Sequence, residues 1–195
     1  MNSLAMLYIS RALNDGGYAA ESFDYHSIRG TLPEHVSALA DRVADTAADT
    51  VHLVAHSMGG VVALNYLQGA RDRRIGRVVV LGSPISGSMV GRTLAGWPSG
   101  EWMLGRSVEI WQSTSVPKLD AATCVGSIAG SVSFGLGSIF MNVPEPCDGV
   151  VTVEETRLPG LADHIVLPVS HSGMLISQEV AQQTAAFLRN GRFQR

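Results

Sequence analysis

A chain of 195 residues can bury one sizeable core, and 46% apolar against 16% charged residues suits an α/β protein with much buried parallel sheet. The formal charge of −3, without a basic cluster, gives no electrostatic basis for binding nucleic acid or anionic lipid. Two cysteines, Cys124 and Cys147, define no disulfide framework and lack a zinc-binding spacing, so they read as free thiols.

Asn2-Ser3 reads as a helix N-cap, followed by Leu4, Leu7, Tyr8, Ala12 and Leu13 at helical spacing and stopped by Gly16-Gly17. Tyr18 to Tyr25 reads as a short strand. Thr31-Leu32-Pro33-Glu34 combines a capping box with a proline at a helix start, and Val36, Leu39, Ala40, Val43, Ala44 and Ala47 continue one apolar face. The run Val51 to Ala55 predicts a buried strand, and Val61 to Leu67 a helix after it. Arg77 to Leu81 is another buried strand, ending in Gly82-Ser83-Pro84.

Residues 85–118 are irregular, rich in Gly, Ser and Pro, and hold Trp97, Trp102 and Trp111. With Met89, Met103 and Leu104 these fit a lid or acyl-pocket wall as well as they fit packing over the sheet edge. Thr123 to Ile128 reads as a strand, and a Gly/Ser loop containing Phe134, Ile139, Phe140 and Met141 follows it to Pro146. Residues 121–144 carry no charge, yet their glycines and hydroxyl side chains make them too polar for a membrane span. Ile165 to Val169 is the last strand, and Ser177 caps a final amphipathic helix stopped by Gly191. Strands alternating with helices predict an α/β fold, a predominantly parallel sheet with helices on both faces, in one domain over 1–195.

Chemistry concentrates where the first apolar strand meets its helix. Ala55-His56-Ser57-Met58-Gly59-Gly60 has the small-x-Ser-x-small pattern of a nucleophile elbow, a turn so sharp that larger residues at 55 and 59 would collide across it. The elbow exposes the Ser57 hydroxyl above the sheet. It also aims the Met58 N–H, at a helix N-terminus, towards the place where an oxyanion would form.

A serine hydroxyl needs a base, and that base a partner fixing its tautomer. In a parallel sheet such groups come from loops at the carboxyl ends of strands. His171 lies two residues past Val169 and fits. His52 falls inside the elbow strand, and alternation turns His56 to the opposite side. His35 belongs to the second helix and His26 to the loop before it, and His164 starts the last strand at its far end. For the acid, Asp148 in Pro-Cys-Asp-Gly follows the preceding strand. Glu145 is its rival, with Asp120, Glu154 and Asp163 further behind.

The order Ser57, Asp148, His171 is that of the α/β-hydrolases. Ala-His-Ser-Met-Gly-Gly and His171-Ser-Gly173 resemble the elbow and tail of compact bacterial lipases, and Arg77 to Gly87 resembles the strand and loop after the elbow. The resemblance implies a carboxylic-ester hydrolase working through an acyl-enzyme on Ser57, with no metal or cofactor and a small-molecule or lipid ester as substrate. A thioesterase, acyltransferase or peptidase with the same triad, or a non-catalytic binding module, is the alternative.

One departure stands out. The compact lipases carry a strand ending in His-Gly just before their first helix, and that loop supplies the second oxyanion N–H. This chain opens on what reads as that helix, so N-terminal strands are expected to be lacking. Upstream residues, re-paired strands or a partner chain would then fill the sheet position. With no secretory signal visible, the expected location is cytoplasmic.

Overall fold

The computed structural model describes residues 6–24, 30–69, 72–88, 118–119, 123–133 and 144–195. The β-branched runs read from the sequence form one sheet of four parallel strands in chain order: β1 (Val51–His56), β2 (Ile75–Leu81), β3 (Cys124–Gly130) and β4 (Asp163–Leu167). β4 begins and ends two residues earlier than the apolar run suggested. Pro168 has no N–H to donate, and the ladder stops before it.

Helices cover both faces. On one, Val79, Leu81, Ile128 and Leu167 pack against α1 (Leu7–Asp15) and α4 (Gln178–Asn190). On the other, Val78, Val80 and Val125 pack against α2 (Leu32–Ala44) and α3 (Met58–Gln68). Val78, Val79, Val80, Val125 and Ile128 are completely buried, as expected of central strands sandwiched on both sides.

The helix ends are set locally. Thr31 accepts the Glu34 N–H while the Glu34 carboxylate accepts the Thr31 N–H, closing the predicted capping box. Ser177 caps α4 by accepting the Val180 N–H, and Gly191 ends it in the left-handed region at φ 73°. Asn2-Ser3 lies outside the described residues. α1 begins at Leu7 and stops at Gly16.

The strand expected from Tyr18 to Tyr25 is not one over Tyr18–Asp24. Two of its N–H groups are spent on the preceding helix: Tyr18 donates to the Leu13 carbonyl at 3.1 Å and Ala20 to Asn14 Oδ1 at 2.7 Å. β1 therefore pairs only with β2 among the described residues. The N–H groups of Val51 and Ser57 point to β2, so those of His52, Val54 and His56 point the other way. That side opens on a groove of about 650 Å³ bordered by α1, residues 18–23, α2 and β1 itself.

The part of 121–144 that is described contains β3, so its lack of charge reflects a buried strand. Among the described residues no helix is long and apolar enough to cross a membrane. Both cysteines are free thiols. The three tryptophans with Met89, Met103 and Leu104, and the cluster Phe134, Ile139, Phe140 and Met141, lie outside the described residues.

Candidate active site

β1 ends at His56 and α3 begins at Met58, so Ser57 alone makes the reversal from strand to helix. It does so at φ 56° and ψ −128°, and no other non-glycine residue among those described has a positive φ. Such a conformation costs on the order of 1–3 kcal/mol and persists only where its surroundings enforce it. Here the Ser57 N–H donates to the Leu81 carbonyl at 2.9 Å, and the Ser57 carbonyl accepts the Gly60 N–H at 3.0 Å.

Small residues let the turn close. A Cβ on Gly60 would stand 2.2 Å from Ser83 Oγ and 3.2 Å from Val80 Cβ, so only glycine lets α3 lie this close to β2. Ala55 packs into the α2–α3 side of the core, and Gly59 is buried in the first turn of α3. Met58 opens that helix, and no acceptor among the described residues takes its N–H. A free N–H at a helix N-terminus beside a hydroxyl is a donor for negative charge developing there.

His171 and Asp148 meet Ser57 from the loops after β4 and β3. His171 Nδ1 lies 2.8 Å from Asp148 Oδ2, and its Nε2 lies 3.1 Å from Ser57 Oγ. A carboxylate only accepts, so Nδ1 carries the hydrogen, and Nε2 accepts the Ser57 hydroxyl. The Asp148 side chain is 1% exposed and that of His171 14%. Asp148 Oδ1 accepts the Val150 and Val151 N–H groups at 2.9 and 2.7 Å, which stops the carboxylate rotating. The main chains are tied as well: the His171 N–H donates to the Asp148 carbonyl at 2.9 Å.

The rival acids lie elsewhere. Glu145 is exposed, and Glu154 pairs with Arg157 on a 3-10 turn. Asp163, at the opposite end of β4, binds Arg195 and the Phe193 N–H. Asp120 and His26 are outside the described residues. His164 is paired with the Thr156 hydroxyl, and His52 accepts the Arg77 N–H. Among the described residues no three His, Cys, Asp or Glu side chains are grouped to hold a metal ion.

His56 lies beside His171. Alternation does turn it away from α3, as read, but the loop carrying His171 descends on that same face of the sheet. The His56 ring lies 4.5 Å from the His171 ring, and its Nε2 lies 3.0 Å from the His171 carbonyl oxygen. Burial, and secondarily the nearby His171, push its pKa down to about 4.

Sequence reading also missed two glycines. A Cβ on Gly130 would stand 2.3 Å from the Val169 carbonyl oxygen and 2.8 Å from Asp148 Cβ, and one on Gly82, at φ 49°, 2.9 Å from Asp148 Oδ2. Both glycines clear space for the acid. Their position directly at the ends of buried strands was the available signal.

A parallel sheet covered on both faces, with a strained serine, an imidazole and a carboxylate converging at its carboxyl edge, defines an α/β protein with a candidate site at the ends of its strands. The sequence profile of the alpha/beta hydrolase family matches residues 4–144, and the chain belongs to that family. Among curated proteins none matches it in sequence. Solved structures do. The mature form of a Bacillus licheniformis lipase is 19% identical with a TM-score of 0.76, covering 98% of this chain and 87% of its own. A carboxyl esterase from a metagenome is 18% identical with a TM-score of 0.66, over 93% and 68%. The Vlm2 thioesterase domain is 17% identical with a TM-score of 0.56, over 97% and 92%. At these identities the likeness is one of fold.

Proposed function

We propose that this protein hydrolyses carboxylic esters through an acyl-enzyme on Ser57, with His171 as base and acid and Asp148 as its orienting partner. The observation that carries the reading is the unbroken line Asp148 Oδ2, His171 Nδ1, His171 Nε2, Ser57 Oγ, at 2.8 and 3.1 Å, ending on a strained serine. The lipase and esterase among its structural relatives agree with it.

Ser57 Oγ attacks the ester carbonyl carbon while its proton passes to His171 Nε2. The carbonyl oxygen gains negative charge and is met by the Met58 N–H. When the intermediate collapses, the bond to the alcohol oxygen breaks and His171 returns the proton to that oxygen, releasing the alcohol. Water then attacks the acyl carbon, His171 takes its proton, and the acid leaves as Ser57 Oγ recovers a hydrogen. Asp148 accepts the Nδ1–H throughout and holds Nε2 towards the hydroxyl.

Reaction with a fluorophosphonate tests this. Stoichiometric labelling at Ser57, lost in Ser57→Ala, is expected; a folded wild-type protein that stays unlabelled overturns the reading and leaves a binding module. The thioesterase among the relatives raises a second substrate class on the same triad. A chain-length series of nitrophenyl esters run against acyl thioesters separates the two: faster turnover of the oxygen esters is expected.

A further inference from the structure

The elbow histidine has no part in the steps above, yet it makes both a side-chain hydrogen bond and a ring contact with His171. We propose that His56 is a positioning residue for this reaction: its Nε2–H, donated to the His171 carbonyl, holds the base in register with Ser57. The proposal rests on the triad reading.

A carbonyl oxygen only accepts, so the 3.0 Å contact requires His56 Nε2 to carry the hydrogen. The other nitrogen, Nδ1, is then an acceptor, and it is buried with no partner among the described residues. Among the described residues the polar contacts of this buried ring therefore come down to that one bond. His171 is thereby fixed at three points. Its N–H binds the Asp148 carbonyl at 2.9 Å, its Nδ1 binds the Asp148 carboxylate at 2.8 Å, and its own carbonyl is held by His56.

Only the last of these ties links the His171 loop to β1, the strand that carries Ser57. The two bonds to Asp148 join loop to loop and make no reference to β1. The His56 bond, one residue from the nucleophile, refers the base directly to the hydroxyl it must reach. Charge state matters too. His171 becomes positive when it takes the Ser57 proton, and the His56 ring lies 4.5 Å from it at 47°. The depressed pKa of His56 keeps that neighbour neutral, so the transient imidazolium meets an uncharged ring instead of a second cation.

Three variants test the bond. His56→Gln carries an amide nitrogen that reaches about as far as Nε2, His56→Asn carries one that falls short, and His56→Leu carries none. The readouts are the fluorophosphonate labelling rate, kcat and KM on a nitrophenyl ester, and the downfield Nδ1–H proton resonance of His171. Displacing the base by a fraction of an ångström to 1 Å costs about ten- to hundred-fold in rate. His56→Leu and His56→Asn are expected to lose that much in kcat and labelling, with KM within about two-fold and a broadened resonance, while His56→Gln restores all three. If His56→Leu does not fold, the Gln and Asn pair carries the comparison.

Labelling of wild type at Ser57 with all folded variants reacting at the same rate overturns the positioning role and leaves the triad standing. Equal losses in Gln and Asn overturn it as well, since they indicate packing alone. Failure of wild type to label strikes the triad reading first.

Discussion

One methyl group added at Gly130 tests how the site is held. Gly130 is the last residue of β3, and a Cβ there would lie 2.3 Å from the Val169 carbonyl oxygen. That oxygen is backbone and cannot swing aside, unlike the Met174 Cε tip at 2.7 Å. Val169 leads directly to the loop bearing His171, and its carbonyl already accepts the Val132 N–H at 3.2 Å. The contact must open by about 0.7 Å before it reaches even 3.0 Å, the lower bound of real Cβ separations. The same Cβ meets Asp148 Cβ at 2.8 Å, so acid and base are pushed from one point. Overpacking of this kind costs about 1–3 kcal/mol, which lowers the melting temperature by several degrees in a chain of this size. A displacement approaching 1 Å at the base costs up to about a hundred-fold in rate. Gly130→Ala is therefore expected to fold, melt several degrees lower and lose ten-fold or more in fluorophosphonate labelling at Ser57. A folded variant that labels at the wild-type rate would refute the claim that backbone spacing at the end of β3 sets the reach of His171.

Three further outcomes follow from the same geometry. In Asp148→Asn the Val150 and Val151 N–H groups keep the amide oxygen, so its NH₂ faces His171 and forces the hydrogen onto Nε2. Labelling is expected to fall by about ten-thousand-fold, and a loss below ten-fold would show that Asp148 does not set the tautomer. Gly60→Ala drives a Cβ into Ser83, with Oγ at 2.2 Å and Cβ at 2.6 Å, and is expected to destabilise the fold. Adding Ser83→Gly should recover part of the loss by urea denaturation; strictly additive costs would mean the two do not touch.

Stability should also fall in acid. His56 and His164 both titrate in the folded protein near pH 4, through burial first and nearby positive charge second, against about 6.5 when unfolded. As pH drops from 6.5 to 4 the unfolded chain takes up protons that the native one refuses, so stability present at pH 7 is lost across that window. His56, almost fully buried, contributes up to about 3 kcal/mol of this loss; His164, less buried, contributes less. A His56→Gln variant whose stability declines as steeply as wild type between pH 6.5 and 4.5 would contradict this.

The elements that were legible in the sequence are those whose cause is local. The capping box at Thr31, the glycine stop at Gly191 and the buried valine runs of β2 depend on residues within a turn or two of one another. So does the elbow, whose small residues at 55, 59 and 60 answer a clash across a single turn. Tyr18–Asp24 misled because strand-like composition makes a strand only when a neighbour offers a ladder, and α1 had already taken the Tyr18 and Ala20 donors. Asp148 and Glu145 both follow β3, and the sequence held no sign of the two backbone N–H groups that lock the Asp148 carboxylate.

His56 shows the boundary between the two kinds of information. The alternation of side chains along β1 is a local property, and it gave the right face of the sheet. What stands on that face is decided by a loop 115 residues later in the chain, brought there because β4 pairs in parallel beside β3 and returns through α4. Local chemistry determined which residues could serve as nucleophile, base and acid. Only the parallel pairing of β1 to β4, which stacks their carboxyl ends at one edge, decided that Ser57, His171 and Asp148 meet there and that His56 meets them, because contacts between distant segments are set by the whole core and not by any stretch of it.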